Sequence, residues 1–265
     1  MEFIRTDIEG EIATVTLDHP IGNRINFAMR RELLEAFDHV SASTARVLIV
    51  DAKGDDFSLG GDAREWPGIP AAELRPRVEM LAKALESLEN LRIPTIAAVQ
   101  GGCMGGGFEL ALSCDLIVAG RSARFAFPEA RIGIMTLQGG VIQLAERIGR
   151  SKAIELVLFS HVVGAQTMET WNVVNRVFDD AHLAAEARAM AQFLAVGPTT
   201  VYASTKDLLR TWREEGAKSA KGALYQLSMP GFDRDDTQAA LRNAAESMNT
   251  GKPLPTAIFR ETRRD

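Results

Sequence analysis

The sequence predicts an α/β core followed by a mostly helical carboxy-terminal segment. Three observations carry this reading. Short β-branched runs alternate with amphipathic stretches through the first half, the strand signal fades from about Gly139 onward, and "VGPTT" at residues 196–200 brings a proline to a helix start, where a boundary is expected.

The elements follow in order. "IATVTL" (12–17) reads as a strand, and "NFAMRRELLEAFDHV" as an amphipathic helix that Asn26 can cap. "RVLIVDA" (46–52) is the next strand, followed by a glycine-containing loop and a helical pattern over "AAELRPRVEMLAKALESLEN", which Pro76 is expected to kink or delay. "IPTIAAV" (93–99) reads as a fully buried strand running into a glycine stretch that opens a helix, and "DLIVAG" (115–120) returns as a strand. Beyond it come helical patterns in "GVIQLAERIG", "SKAIELVLFS" and "AQTMETWNVV", then over 180–195 and 199–215. The last segment has modest apolar content, so its helices need another surface, in the same chain or in a neighbouring subunit.

Composition removes several function classes. At 265 residues the chain can bury a substantial core. Gln100, Glu109 and Asp115 interrupt its most apolar region, so no window supports a membrane span, and "MEFIRTDIEG" lacks a signal-peptide pattern. A soluble, cytoplasmic protein is expected. Thirty basic residues against thirty-five acidic ones give a net charge of −5, which argues against a general nucleic-acid footprint, and the short basic tail "FRETRRD" reads as a solvated end. Cys103 and Cys114 have neither zinc nor redox spacing, and His19, His39, His161 and His182 are scattered, so no metal site is expected.

The chemistry concentrates in "QGGCMGGGFELALSCD", where five glycines in seven residues precede a helix with Glu109 in its first turn. Neither G-x-G-x-x-G nor the P-loop pattern fits, and G-x-S-x-G is absent, which weakens the nucleotide-phosphate and serine-hydrolase readings. Bare backbone at a helix start offers N–H donors to a close ligand, and "DDFSLGGD" (55–62) could supply a second donor to form an oxyanion hole. Glu109 lies among apolar neighbours that should raise its pKa, and "FAFPEARIG" sets a second carboxylate, Glu129, between Pro128 and a turn at Gly133. Two such carboxylates could move a proton on and off carbon or activate water. On residues alone, Glu109 stays open between an acid-base group and a capping or ion-paired helix residue. Glu129 and the Gly61 loop stay open between a site and ordinary surface turns.

Taken together, "IATVTLDHP", "RVLIVDAKGDDFSLGGD", "IPTIAAVQGGCMGGGFELALSCDLIVAG", "ARFAFPEARIGI" and "WNVVNRVF" occur in an order that resembles the crotonase (enoyl-CoA hydratase/isomerase) superfamily over most of residues 8–195. The resemblance implies a spiral of β-β-α turns over residues 1–195 and a helical trimerisation region over 196–265, assembled as a homotrimer or a dimer of trimers. It implies an acyl-CoA thioester substrate and a place in fatty acid metabolism. No separate cofactor is implied, because coenzyme A is part of the substrate. Oxyanion-hole N–H groups would come from Gly61 and Gly106. Glu109 and Glu129 fill both carboxylate positions of the family's hydratases, and Leu59, Asp62, Leu137 and Arg24 become substrate- or CoA-binding positions. The implied activity is hydration of a 2-enoyl-CoA, with Glu109 activating the water that attacks C3 and Glu129 holding it and protonating C2. An isomerase, a hydrolase or decarboxylase of the same fold, and a non-catalytic acyl-CoA- or RNA-binding relative are the alternatives.

The chain also departs from the family pattern. "HPIGNRIN" is one residue shorter and displaces Arg24, while "GIMTLQGG" brings Met135, Thr136, Leu137 and Gln138 near the expected acyl group. "AREWPGIP" places Trp66, Pro67 and Pro70 in a region that often forms a lid, which suits either a bulky acyl group or plain loop packing. From Ser219, including "YQLSMPGFDRDD", the likeness to the family's closing helices is loose.

Overall fold

The computed structural model describes residues 1–254 and 256–260; residues 261–265 of the basic tail lie outside the described residues. In chain order the elements are β1 (Ile4–Glu9), β2 (Ile12–Leu17), α1 (Phe27–Ala42), β3 (Val47–Ala52), α2 (Ala71–Glu89), β4 (Thr95–Val99), β5 (Gly102–Met104), α3 (Gly106–Leu112), β6 (Leu116–Gly120) and β7 (Arg124–Ala126). There follow α4 (Gly140–Ile148), α5 (Arg150–Phe159), β8 (Val163–Gly164), α6 (Ala165–Thr170), β9 (Arg176–Phe178), α7 (Leu183–Ala195), α8 (Thr199–Glu215), α9 (Ala217–Ser228) and α10 (Asp235–Thr250). Residues 1–91 with 95–191 form one compact unit, and residues 92–94 with those from 192 onward form another, the boundary falling inside α7.

The first unit is built on a six-stranded sheet in the order β1-β2-β3-β4-β6-β9. β1 runs antiparallel to β2, and the other neighbours are parallel. All five residues of β4 are buried, as a parallel strand covered on both faces requires. A smaller sheet, β5-β7-β8, stands beside it, and Cys103 in β5 pairs with Phe125 in β7. This repeated strand-strand-helix winding is the spiral that the sequence motifs imply.

α1 begins where Asn26 Oδ1 accepts the Met29 N–H at 2.8 Å, and its buried stripe of Met29, Leu33, Ala36, Phe37 and Val40 follows helical spacing. It packs against α2, which starts at Ala71 and continues through Pro76 rather than being delayed by it. Asp115 ties β4 to β6, its Oδ2 accepting the Thr95 N–H at 2.8 Å and the Thr95 hydroxyl at 2.9 Å. β1 and the short strands β5, β7, β8 and β9 go beyond what the strand signal shows. β1 is an edge strand whose alternate residues face solvent, so "IRTDIE" carries charges at half its positions.

In the second unit α8 packs on α9, the Ser204 hydroxyl donating to the Leu227 carbonyl at 3.0 Å. The two helices and the turn after α9 line a cavity of about 600 Å³. No described helix is long and apolar enough to cross a membrane. Replacing Asn26 with Ala should lower stability by roughly 1 kcal/mol, because the Met29 amide in the first turn of α1 loses its side-chain acceptor. Urea unfolding followed by circular dichroism measures that loss, and an unchanged midpoint would show the cap to be idle.

Candidate active site

Two loops leave the main sheet at neighbouring strands and are zipped together by their own backbones. After β3, the Ser58 N–H donates to the Gly102 carbonyl at 3.0 Å, and the Met104 N–H returns to the Ser58 carbonyl at 2.9 Å, so residues 57–60 lie alongside β5. On the other side Ile25 bridges Gly61, with the Ile25 N–H on the Gly60 carbonyl at 2.9 Å and the Asp62 N–H on the Ile25 carbonyl at 3.1 Å. The result is a short separation between two amides. A Cβ drawn on Gly106 would stand 3.7 Å from the Gly61 nitrogen, and one drawn on Gly60 would stand 3.5 Å from the Gly106 nitrogen. Gly106 is the first residue of α3, where a helix leaves its N–H groups free, and the Gly61 N–H has no acceptor among the described residues. Leu81 and Ile25 supply apolar walls at this point.

Glu109 sits in the first turn of α3 and is 2% exposed. Its Oε1 accepts the Gln138 N–H at 2.8 Å and the Gly140 N–H at 3.0 Å, so the loop before α4 acts as a backbone cradle for the carboxylate. Burial pushes the Glu109 pKa up, and these amides together with the Leu137 N–H oppose the rise. Close contact imposes glycine here: a Cβ on Gly140 would meet Glu109 Cγ at 2.5 Å and the Phe127 ring at 2.9 Å. Phe127 stacks on Phe108 with ring centroids 4.9 Å apart, which completes an apolar wall behind the carboxylate.

Glu129 opens a short 3₁₀ turn after Pro128, which ends at Gly133 in the left-handed conformation. Its carboxylate lies over Gly105, where a Cβ would collide with Glu129 Oε1, and Gly105 itself has φ +48°. No side-chain-bearing residue fits that position. Glu129 Oε2 is buried with no hydrogen-bond partner. Burial raises the Glu129 pKa to about 7; its own backbone N–H pulls the other way, and the Glu109 charge adds a lesser upward push. The two carboxylates therefore sense each other across the turn that carries Gly105 and Gly106.

The other residues singled out from the sequence occupy varied places. Arg24 is half-buried and donates from Nη1 to the Leu59 carbonyl at 3.3 Å. The Leu59 side chain fills the space over Gly22 and Gly102. Asp62 is engaged by Arg64, through Nε at 2.7 Å and the Arg64 N–H at 3.2 Å, and its pKa is held down chiefly by that side-chain bond. Leu137 is exposed, and Thr136 beside it is buried. The backbone donors of Gln138 and Gly140 carry no side-chain signature in the sequence, where the "QGG" triplet is their one trace. Among the described residues no group of three or more His, Cys, Asp or Glu side chains is arranged to hold a metal ion.

The family model described as enoyl-CoA hydratase/isomerase matches residues 7–249. The chain belongs to the enoyl-CoA hydratase/isomerase family. Carnitinyl-CoA dehydratase of Escherichia coli (strain K12) is 36% identical over 215 residues, covering 80% of this chain and 81% of that protein. Mevalonyl-coenzyme A hydratase of Aspergillus fumigatus is 32% identical over 218 residues, with 80% of each covered. Among solved structures, Pseudomonas aeruginosa DspI superposes with a TM-score of 0.87 at 26% identity, covering 97% of each chain. An enoyl-CoA hydratase/carnitine racemase from Magnetospirillum magneticum gives 0.83 at 27% identity, covering 97% of this chain and 96% of that one. The chain is an enzyme of this family with its crotonase fold.

The electrostatic coupling of the pair has a direct test. Replacing Glu109 with Gln removes a negative neighbour, so the raised pKa of Glu129 should fall. Carboxyl titration by isotope-edited NMR in parent and variant reads the shift, and an unmoved Glu129 would show that the two groups do not interact.

Proposed function

We propose that the protein is an enoyl-CoA hydratase, adding water reversibly across the C2–C3 double bond of a 2-enoyl-CoA thioester. The observation that carries this reading is one constellation: two amides side by side, flanked by two partly or fully buried carboxylates with raised pKa values. The names of the relatives support the class, since one is a dehydratase and the other a hydratase of a CoA thioester.

In this reading the thioester oxygen accepts from the Gly61 and Gly106 N–H groups and takes on enolate charge there. Glu109, kept available as an anion by the Gln138 and Gly140 amides, removes a proton from water as its oxygen bonds to C3. Glu129, its pKa raised to about 7, holds that water in its protonated form and delivers its proton to C2 as the enolate collapses. Return of a proton from Glu109 to Glu129 resets the pair. Coenzyme A arrives with the substrate, and no further cofactor takes part. Arg24, Leu59, Asp62 and Leu137 are proposed to line the thioester and CoA path. Exposed Leu209, Trp212 and Tyr225 in the helical unit support assembly of several copies, as a trimer or a pair of trimers.

Incubation with 2-enoyl-CoA in heavy-oxygen water should place the label on C3, whereas an isomerase would move the double bond without label and a hydrolase would release free CoA. Glu109→Gln and Glu129→Gln should each lower kcat by about 10²–10⁴. Near-parental turnover in both would remove the carboxylates from the mechanism.

The pH dependence has a definite sign. Hydration needs Glu129 protonated and Glu109 ionised, so the rate falls on the alkaline side as pH rises through the Glu129 pKa near 7. On the acid side it falls as Glu109 takes up a proton, above the usual carboxylate range. A bell-shaped kcat/KM profile is therefore expected, and a rate that climbs steadily above pH 8 would contradict the assignment of Glu129 as acid.

A further inference from the structure

Arg30 stands on the apolar face of α1, three residues before Leu33 and seven before Phe37, and is 2% exposed. Burial pulls its pKa down to about 10, against the raising influence of Glu65 and Asp62, so the guanidinium stays charged at neutral pH. A buried guanidinium needs acceptors for its N–H groups, and this one finds few. Nη1 donates to the Arg77 carbonyl at 3.1 Å, and Nε has no partner. Among the described residues no carboxylate forms an ion pair with it. The two carboxylates nearby are engaged elsewhere, Asp62 by Arg64 and Glu65 by the Phe27 N–H at 2.7 Å. Phe27 and Trp66 cover the guanidinium with ring centroids at 5.0 and 5.8 Å, an arrangement that favours a cation without supplying a counter-ion.

This charge lies next to the paired amides. A Cβ drawn on Gly61 would stand 3.6 Å from Arg30 Nη2 and 2.9 Å from Trp66 Cζ2, so the absence of a side chain at Gly61 is what admits the indole. Trp66 Nε1 is itself buried without a partner. The guanidinium and the indole, each carrying a buried donor without a partner, therefore lie beside Gly61, whose amide is proposed to hold the thioester oxygen. A hydroxyl on the acyl chain would supply an acceptor and no charge, and a cationic chain end would meet a like charge. A carboxylate supplies acceptors together with a counter-charge in direct contact with the guanidinium.

We propose that Arg30 and Trp66 form a subsite for the distal carboxylate of the acyl chain, making the protein selective for CoA thioesters of dicarboxylic acids. The proposal rests on the reading of Gly61 and Gly106 as the thioester-oxygen site, and it adds the class of acyl group. Arg30 acts in it as a specificity-determining residue without entering the proton transfers.

The test is calorimetric binding of saturated thioesters, which cannot be hydrated: glutaryl-, adipyl- and pimelyl-CoA against valeryl-, hexanoyl- and heptanoyl-CoA of equal chain length. In the parent at least one carboxylated thioester should bind about tenfold or more tightly than its partner, the scale of one charged hydrogen bond. That ratio should fall to about one in Arg30→Met and by roughly two- to fivefold in Trp66→Phe, which keeps an aromatic ring and removes the N–H. Ratios at or below one for all three pairs in the parent would overturn the proposal. So would a preference that survives both substitutions, and Trp66→Phe alone decides that point if Arg30→Met does not fold. Absence of binding by every thioester, carboxylated or not, would sink the underlying acyl-CoA reading and the subsite with it. Equal binding within pairs sinks the subsite alone.

Discussion

The main-chain zipper between residues 57–61 and β5 is the constraint on which the rest of this site depends. Ser58 exchanges backbone hydrogen bonds with Gly102 and Met104, and Gly60 and Asp62 do the same with Ile25. These bonds bring an amide from the loop after β3 beside the first amide of α3, although 44 positions separate Gly61 from Gly106 in the sequence. Neither nitrogen belongs to a side chain, so the arrangement is a property of strand register. A shift of register by one residue would turn the donors away while leaving every residue identity unchanged.

Around that fixed point the two carboxylates are tuned by different means. Glu109 is the more deeply buried, yet backbone N–H groups of the loop before α4 stabilise its charged form. Glu129 has an oxygen buried with no acceptor-satisfying donor and feels the Glu109 charge in addition. Burial raises both; the amides of Leu137, Gln138 and Gly140 oppose the rise at Glu109, and only its own backbone N–H opposes it at Glu129. In the proposed mechanism that difference separates the group that accepts a proton from the one that gives it, which is how paired carboxylates divide acid and base roles. On the other flank, burial of Arg30 without an ion pair works against stability, the kind of cost that binding sites carry more often than cores do.

Much of this was legible in the sequence because periodicity and motif order are local. The strands at β2, β3, β4 and β6, the Asn26 cap and the helix opening at the triple glycine all follow from short windows. β1 was not, since its half-charged alternation belongs to an edge strand, and β5, β7, β8 and β9 are two or three residues long, too short for a pattern. Gly61, Gly106, Glu109 and Glu129 were named from motifs, but their proximity depends on loop-to-strand pairing that no window contains. The cradle from Gln138 and Gly140 was hidden for the same reason, because backbone donors leave no residue signature. Arg30 did leave one, a cation on the buried stripe of α1, though only the structure shows that it lacks an ionic partner there.

The central claim is that the Gly61 and Gly106 amides together receive the oxygen of a thioester carbonyl. Infrared difference spectroscopy of an enoyl-CoA labelled with carbon-13 at the thioester carbonyl, bound to the Glu109→Gln protein so that it persists, tests this most directly. Two converging N–H donors should move the carbonyl stretch to clearly lower frequency than in water, with a narrower band from a single fixed environment. A band at or above the aqueous frequency, or one as broad as in solution, would mean that the oxygen lies elsewhere.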